Sequence, residues 1–280
     1  MSVTYRVARK QEFREDAGPV LKWAGGKGRL LAQLEPLLPT QINRYHEPFF
    51  GGGALYFRIQ PGEAFLSDLN DELVCVYTVV RDSPGELIAA LKRHRYEKNH
   101  YYRVRATDPA KLSKVARAAR TIYLNRTCFN GLYRVNRRGH FNVPMGRYTN
   151  PEICQETKLL AASDVLSLAT VEQRDYRAVL DKAQAGDFVY FDPPYHPISK
   201  TANFTAYTSQ SFSEADQAAL ADVFAELDRN GVKCMLSNSD TPFIRGLFDT
   251  FRIDTVLAPR AISRKSTGRK PVNEVVVRNY

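Results

Sequence analysis

The sequence predicts an α/β protein: an open, mostly parallel sheet interrupted by a basic helical insertion. Three observations predict it. Strand-like and helix-like stretches alternate around glycine turns from Val20 to Asp68 and resume from Val165. Between them the periodicity turns helical and the positive charge concentrates. Finally, a carboxylate, Asp192, directly follows a short apolar run, Phe188 to Phe191. Ligands of open α/β sheets bind at the carboxyl ends of strands, so chemistry is expected there.

The elements follow in order. Val20 to Trp23 opens the first segment, and Ala24-Gly25-Gly26-Lys27 makes a tight turn before a helical stretch, Leu30 to Leu38, that Pro39-Thr40 ends. Arg44 to Pro48 reads as a strand; Phe49 to Gly53 is a glycine loop feeding a helix, Ala54 to Ile59. Ala64 to Ser67 is a second strand closing at Asp68. Strand, glycine turn, helix, strand and terminal acid is the layout of a nucleotide-binding βαβ unit. Helical periodicity marks Leu87 to Leu91 and Val115 to Leu124, whereas Thr127 to Tyr148, rich in Asn, Gly, Arg and aromatics, reads as loop or hairpin. After the strand Phe188 to Phe191, Ser213 and Asp216 suggest a capping box for a helix over Glu214 to Asp228. Leu220, Val223, Phe224 and Leu227 give its apolar face and Gly231 its stop. Val232 to Ser237 and Glu274 to Val277 read as further strands.

Charge locates the insertion. The chain carries a formal +10, yet Arg81 to Asn150 alone holds sixteen Lys or Arg against four acids, +12, leaving −2 for the remainder. A module facing a polyanion has this signature, and a solvated helical surface shares it. No apolar stretch is long enough to span a bilayer. The polar first seventeen residues are unlike a signal peptide, so a cytoplasmic protein is expected. Cys75, Cys128, Cys154 and Cys234 lack Cys-x-x-Cys or Cys/His spacing, so neither zinc nor disulfides are expected.

Asp192-Pro193-Pro194-Tyr195 is the sharpest chemical signal. An exocyclic base amine is a poor nucleophile because its lone pair is delocalised into the ring. Asp192 and the Pro193 carbonyl can accept its two N–H bonds and draw the nitrogen toward tetrahedral geometry. The prolines hold that carbonyl in place beforehand, and Tyr195 offers a stacking face. An ordinary Pro-Pro turn after a strand fits the same four residues. The glycine segment Glu47 to Gly53 lacks the Gly-x-Gly-x-x-Gly spacing of a dinucleotide site, and Gly28 after Lys27 excludes a P-loop. Asp68 adds an acid suited to ribose hydroxyls; a surface-turn aspartate is the alternative. An attacking cysteine after proline, needed for cytosine-C5 chemistry, does not occur.

In order, Lys22-Trp23-Ala24-Gly25-Gly26-Lys27, Glu47-Pro48-Phe49-x-Gly51-x-Gly53, Asn125-Arg126-x-x-Phe129-Asn130-Gly131-Leu132-x-Arg134-x-Asn136, Asn142-x-Pro144-x-Gly146, Asp192-Pro193-Pro194-Tyr195, Leu236 to Asp240 and Asn273 to Tyr280 cover nearly everything from Val20 onward. This set resembles the Dam-type N6-adenine DNA methyltransferases (D12 class, α-group motif order). The resemblance implies a class I S-adenosylmethionine-dependent methyltransferase fold, Rossmann-like, with a final antiparallel strand and an inserted helical DNA-recognition domain. It implies an N-terminal arm (1–19), a catalytic domain in two parts (20–72 and 163–280), and a target-recognition insertion (73–162).

The resemblance also implies roles. Asp192, Pro193 and Tyr195 would be catalytic. Trp23, Lys27, Phe49, Gly51, Gly53, Asp68, Asp175, Tyr176 and Asp192 would hold S-adenosylmethionine. Duplex DNA would meet Lys22, Phe129, Asn130, Leu132, Asn136 and Pro144, with Arg134 reading a guanine edge through two hydrogen bonds. Arg126, Arg137 and Arg138 would contact phosphates. For Phe129 and Leu132, local core packing is the alternative, and for Asp175-Tyr176 an ordinary strand-to-helix turn. By length and composition, Pro197 to Ser211 reads as a flap and Arg264 to Lys270 as a basic loop touching phosphate, with a solvated β-hairpin tip as the alternative for the loop. GATC is the implied recognition sequence, with adenine flipped from the duplex and a cognate restriction endonuclease as a possible separate partner. No metal and no membrane are expected. Cytosine-N4 methylation and a silent DNA-binding protein on the same fold are the competing functions.

Overall fold

The computed structural model describes residues 6–7, 12–198, 212–258 and 272–280. The expected flap beyond Ile198 and the basic loop Arg264 to Lys270 lie outside them. The chain runs β1 (Arg6–Val7), α1 (Leu31–Leu34), β2 (Gln41–Ile42), β3 (Tyr45–Glu47), α2 (Ala54–Ile59) and β4 (Ala64–Asp68). Five helices follow: α3 (Asp71–Asp82), α4 (Pro84–Leu91), α5 (Lys98–Ala106), α6 (Lys114–Thr127) and α7 (Glu156–Leu166). Then come β5 (Ala169–Gln173), β6 (Phe188–Phe191), α8 (Glu214–Arg229), β7 (Lys233–Ser239), α9 (Pro242–Leu247), β8 (Arg252–Ala258) and β9 (Val272–Arg278).

Seven strands make one sheet in the order β5-β4-β3-β6-β7-β9-β8. Every pair is parallel except those of β9, which runs antiparallel to both β7 and β8. Strand alternation sorts the apolar residues into two cores, one on each face. Phe188, Tyr190, Met235 and Val276 join the core built with α2, α3, α6 and α7. Their neighbours Val189, Phe191, Cys234, Leu236, Val275 and Val277 join the core under α8 and α9. Burial on both faces explains why β6 is wholly apolar. On the β8 edge, the Gln33 carboxamide bonds both the N–H and the carbonyl of Leu257, which blocks further pairing there.

Within the expected insertion, 73–162, Tyr101, Tyr123, Leu124, Cys128, Phe141 and Val143 form a small core, while buried residues of α3, α4, α7 and the first part of α6 join the first sheet core. Helix α5 is not legible from periodicity because Tyr101 is its one buried residue. It is held instead by Arg120 of α6, whose buried guanidinium donates to the carbonyls of Val104 and Arg105. Both carbonyls lie in the last turn of the helix, where Val104 also accepts from the Thr107 N–H at 3.3 Å, and a cation there suits the helix dipole. Helices α3 and α7 pack on each other and along β5, flanking the sheet at either end of the inserted helices. The expected capping box of α8 is present, with both Ser213 and Asp216 bonding reciprocally.

Candidate active site

Strand β3 pairs with β4 on one side and β6 on the other, so chain connections leave it in opposite directions. This switch point opens a crevice beyond the carboxyl ends of β3 and β6. The sequence ends β3 with Glu47 and β6 with Phe191, placing the glycine loop and Asp192 at the same mouth.

The glycine loop is shaped by steric necessity. Gly51 and Gly53 have φ of +49° and +65°, which L side chains rarely adopt. A Cβ on Gly53 would overlap the Phe50 ring, and one on Gly51 would sit 3.0 Å from the Trp23 indole. Gly52 is not so constrained, since its Cβ would meet Trp23 at an ordinary 3.5 Å. Asp68 secures the loop: it accepts from the Gly51 N–H (3.0 Å) and from the Asn70 N–H (2.8 Å). Burial raises its pKa, with those N–H groups acting against the shift. Phe49 stacks on Tyr176 at 5.2 Å, and Phe212 meets Phe49 edge-on at 5.8 Å. Asp175 caps the short helix after it by accepting from the Arg177 N–H.

Across the crevice, Lys27 Nζ lies 2.7 Å from Asp192 Oδ1, with the lysine side chain only 5% exposed. The same ammonium donates to the Gly25 carbonyl and stands 4.7 Å from the centre of the Tyr195 ring. Burial pushes the Asp192 carboxyl above its ordinary range, while Lys27 opposes that shift by charge and hydrogen bond. The backbone after Asp192 is tied down from behind. Gln217 donates to the Pro194 carbonyl and accepts from Asn238, whose Oδ1 accepts from the His196 N–H. Gln217 and Asn238 are both buried and satisfied, so the turn has little freedom to reorient.

Two further acids border the crevice. Glu47 accepts from the Tyr45 hydroxyl (2.9 Å), and burial raises its pKa well above the ordinary value. Glu274, on β9, accepts from the Tyr195 hydroxyl at 2.9 Å. Both acids stand within the motifs, but their partners differ in kind: Tyr45 is two residues from Glu47, whereas Tyr195 reaches Glu274 across 79 residues.

The family model of the D12 class N6 adenine-specific DNA methyltransferases matches residues 23–262. The chain belongs to that family. It is 43% identical to the Type II methyltransferase M1.LlaDCHI of Lactococcus lactis subsp. cremoris, over 96% of this chain and 98% of the relative. It is 41% identical to the Type II methyltransferase M.MjaIII of Methanocaldococcus jannaschii, over 94% and 99%. Identity to the DNA adenine methylase of Serratia marcescens is 37%, over 91% and 96%.

The sheet of this methyltransferase has the class I fold, with the final strand β9 inserted antiparallel between β7 and β8. Its insertion brings the motif residues of 125–146 to one hairpin. The Thr127 carbonyl accepts from the Gly146 N–H and the Pro144 carbonyl from the Phe129 N–H. Phe129 is 51% exposed, and Asn130 beside it is left-handed with φ +56°. Leu132 instead packs partly against the insertion core. Arg134 is exposed, with Nε donating to Asn142 Oδ1 at 2.7 Å. Asn136 builds the tip: its Oδ1 accepts from the N–H groups of Arg138 and His140. Arg137, Arg138 and Pro144 are exposed.

Arg126 is placed differently from the expectation. Its guanidinium turns inward, Nη2 donating to the Val20 carbonyl at 2.8 Å, so it joins the insertion to the sheet domain. Part of the basic excess is likewise structural. Arg117 pairs with Asp71 and Glu72, and Arg120 serves α5. Asn125, the motif residue next to Arg126, makes the second joint. Its side chain accepts from the Lys22 N–H and donates to the carbonyls of Lys22 and Gly131. Lys22 itself is exposed, its Nζ 5.1 Å from the centre of the Tyr148 ring. Trp23, half-buried, packs 5.2 Å from Tyr133. The hairpin and the Trp23 turn therefore form one mechanical unit.

Among the described residues, no helix is long and apolar enough to cross a membrane. Nor does any group of three or more His, Cys, Asp or Glu have the arrangement to hold a metal there.

Proposed function

We propose that this methyltransferase moves a methyl group from S-adenosylmethionine to N6 of an adenine flipped out of duplex DNA, within GATC. One observation carries this: Asp192, held by Lys27, stands at the switch point facing the glycine loop. The residues fit the cofactor. The positive-φ glycines leave room for a ligand against backbone. The Tyr176 hydroxyl is buried without a hydrogen-bond partner among the described residues, beside Phe49, and so offers a group for the ligand to satisfy. Asp68 retains acceptor capacity beyond its two N–H partners, enough for ribose hydroxyls. Trp23, Lys27, Phe49, Asp175 and Glu47 complete the surround. S-adenosylmethionine bound there would supply the electrophilic methyl group.

The chain's own residues do the rest. Lys27 occupies Asp192 Oδ1, so we assign Oδ2 to one amine hydrogen and the Pro193 carbonyl to the other. Both acceptors are preorganised, one by an ion pair and one by the Gln217–Asn238 brace, so the amine is polarised without reorganisation. Tyr195 stacks on the base, a contact worth roughly 1–3 kcal/mol. A stacked adenine cannot reach a crevice inside the protein, which is why flipping is part of the reading.

For DNA recognition, Arg134 is the base reader, oriented by Asn142; Phe129 is the exposed ring available beside the vacated position. Asn130, Leu132, Asn136 and Pro144 shape the hairpin, while Lys22, Arg137 and Arg138 face the duplex. Arg126 acts as the joint described above. Two relatives named Type II methyltransferases support a cognate restriction endonuclease acting separately.

The test is incubation of unmethylated DNA with S-adenosylmethionine, followed by nucleoside mass analysis and mapping of modified positions. N6-methyladenine confined to GATC is expected. N4-methylcytosine or no product would overturn the activity, and N6-methyladenine elsewhere would overturn the recognition sequence alone.

A further inference from the structure

Glu274 stands on β9, opposite Ser239 of β7, at the rim of the crevice. Its carboxylate is the one that meets the Tyr195 hydroxyl, at 2.9 Å. The opposite requirement falls on the ring, which has Lys27 Nζ at 4.7 Å from its centre. A tyrosine after two prolines has a fixed backbone, yet rotation about its ring-bearing bonds is broad unless something holds the far end. A strand-borne carboxylate is well suited to hold it, because hydrogen bonds to ionised acceptors are shorter and stronger than neutral ones. Burial raises the pKa of Glu274, while Lys27 and the Tyr195 hydroxyl act against that rise.

We propose that Glu274 is a positioning residue: it sets the plane of the Tyr195 ring that receives the flipped base. The assignment rests on the functional reading given above. Glu274 never touches the base. It acts through the tyrosine hydroxyl, and the ring it fixes presents one face to the substrate. Lys27 thereby serves both halves of the site, binding Asp192 and bordering the ring.

The test is steady-state methylation of unmethylated DNA by four variants, with S-adenosylmethionine affinity measured separately by calorimetry. Tyr195→Phe and Glu274→Ala are each expected to lower kcat/KM for DNA about tenfold, the size of one hydrogen bond to a charged group. Affinity for S-adenosylmethionine should stay within twofold. Glu274→Gln keeps an acceptor oxygen and should retain most of the activity. The double variant Tyr195→Phe/Glu274→Ala should be no worse than Tyr195→Phe alone, since the partner is already gone. Losses that multiply in the double variant, or a Gln variant as poor as Ala, would overturn the assignment. If the wild-type product proved to be a base other than N6-methyladenine, the functional reading would fall, and multiplicativity would still decide the Tyr195–Glu274 pairing.

Discussion

Lys27 Nζ and Asp192 Oδ1 lie 2.7 Å apart, joining a turn near the start of the chain to the end of β6. This pair sets how far the Asp192 carboxyl can ionise. Burial raises its pKa and Lys27 lowers it. Only the ionised form accepts both from Lys27 and from an amine, so activity should fall as pH drops through that raised pKa. Lys27→Met removes the opposing charge and should move the acid limb of the kcat/KM profile to higher pH. A limb that stays in place would separate Asp192 ionisation from catalysis.

The glycine loop predicts a contrast between neighbours. Gly53→Ala places a methyl group in the Phe50 ring at a positive φ, and should cost at least ~2 kcal/mol of stability. Gly52→Ala meets Trp23 at 3.5 Å and should change stability by less than about 1 kcal/mol. Urea denaturation of the two variants checks this, and equal losses would contradict the loop geometry.

A buried cluster behind the site should govern acid stability. Asp187 accepts from His46 Nε2 at 3.0 Å and from two guanidinium nitrogens and the backbone N–H of Arg44. Burial alone would raise its pKa, but the His46 and Arg44 hydrogen bonds, with the Gln184 N–H, hold it at about 2. A depressed carboxylate stabilises the fold above its unfolded pKa. Here that contribution is present above 3.8 and is lost as pH falls toward about 2. It is worth about 2 kcal/mol. Asp187→Ala should destabilise by about 3 kcal/mol at neutral pH, since Arg44 and His46 lose their partner. It should also flatten the acid arm of a melting-temperature profile, and an unchanged arm would assign that arm to other carboxylates.

On the hairpin, Arg134→Ala should relax preference at one base pair, with a discrimination loss of roughly 1–3 kcal/mol. Asn142→Ala should do the same more weakly, because it removes the Nε contact that orients the guanidinium. Methylation rates on DNA substituted at each position of the site check both. A uniform loss on every sequence would make Arg134 a phosphate contact instead.

Much of this architecture was written in local chemistry. Gly51 and Gly53, Asp68 at a strand end, and the two prolines after Asp192 announce themselves because backbone conformation and strand punctuation are local properties. The capping box at Ser213 was legible for the same reason. Partners distant in sequence were not. Asn125 and Lys22 lie 103 residues apart, Tyr195 and Glu274 79, and Gln217 and Pro194 23, so no short window contains any of the three pairs. Arg126 shows the converse error. A basic residue in a basic stretch reads as a surface phosphate contact, yet a buried carbonyl at Val20 draws it inward. Helix α5 escaped because its stability comes from Arg120 and the insertion core rather than from an apolar stripe of its own.

The central claim is that the Asp192 carboxylate activates the target amine. Single-turnover methyl transfer by Asp192→Ala tests it most directly, with DNA binding and circular dichroism measured on the same preparation. Removing a preorganised acceptor of this kind is expected to slow transfer by at least about 100-fold, with the protein folded and still binding DNA. A variant that transfers methyl groups at the wild-type rate would contradict the account.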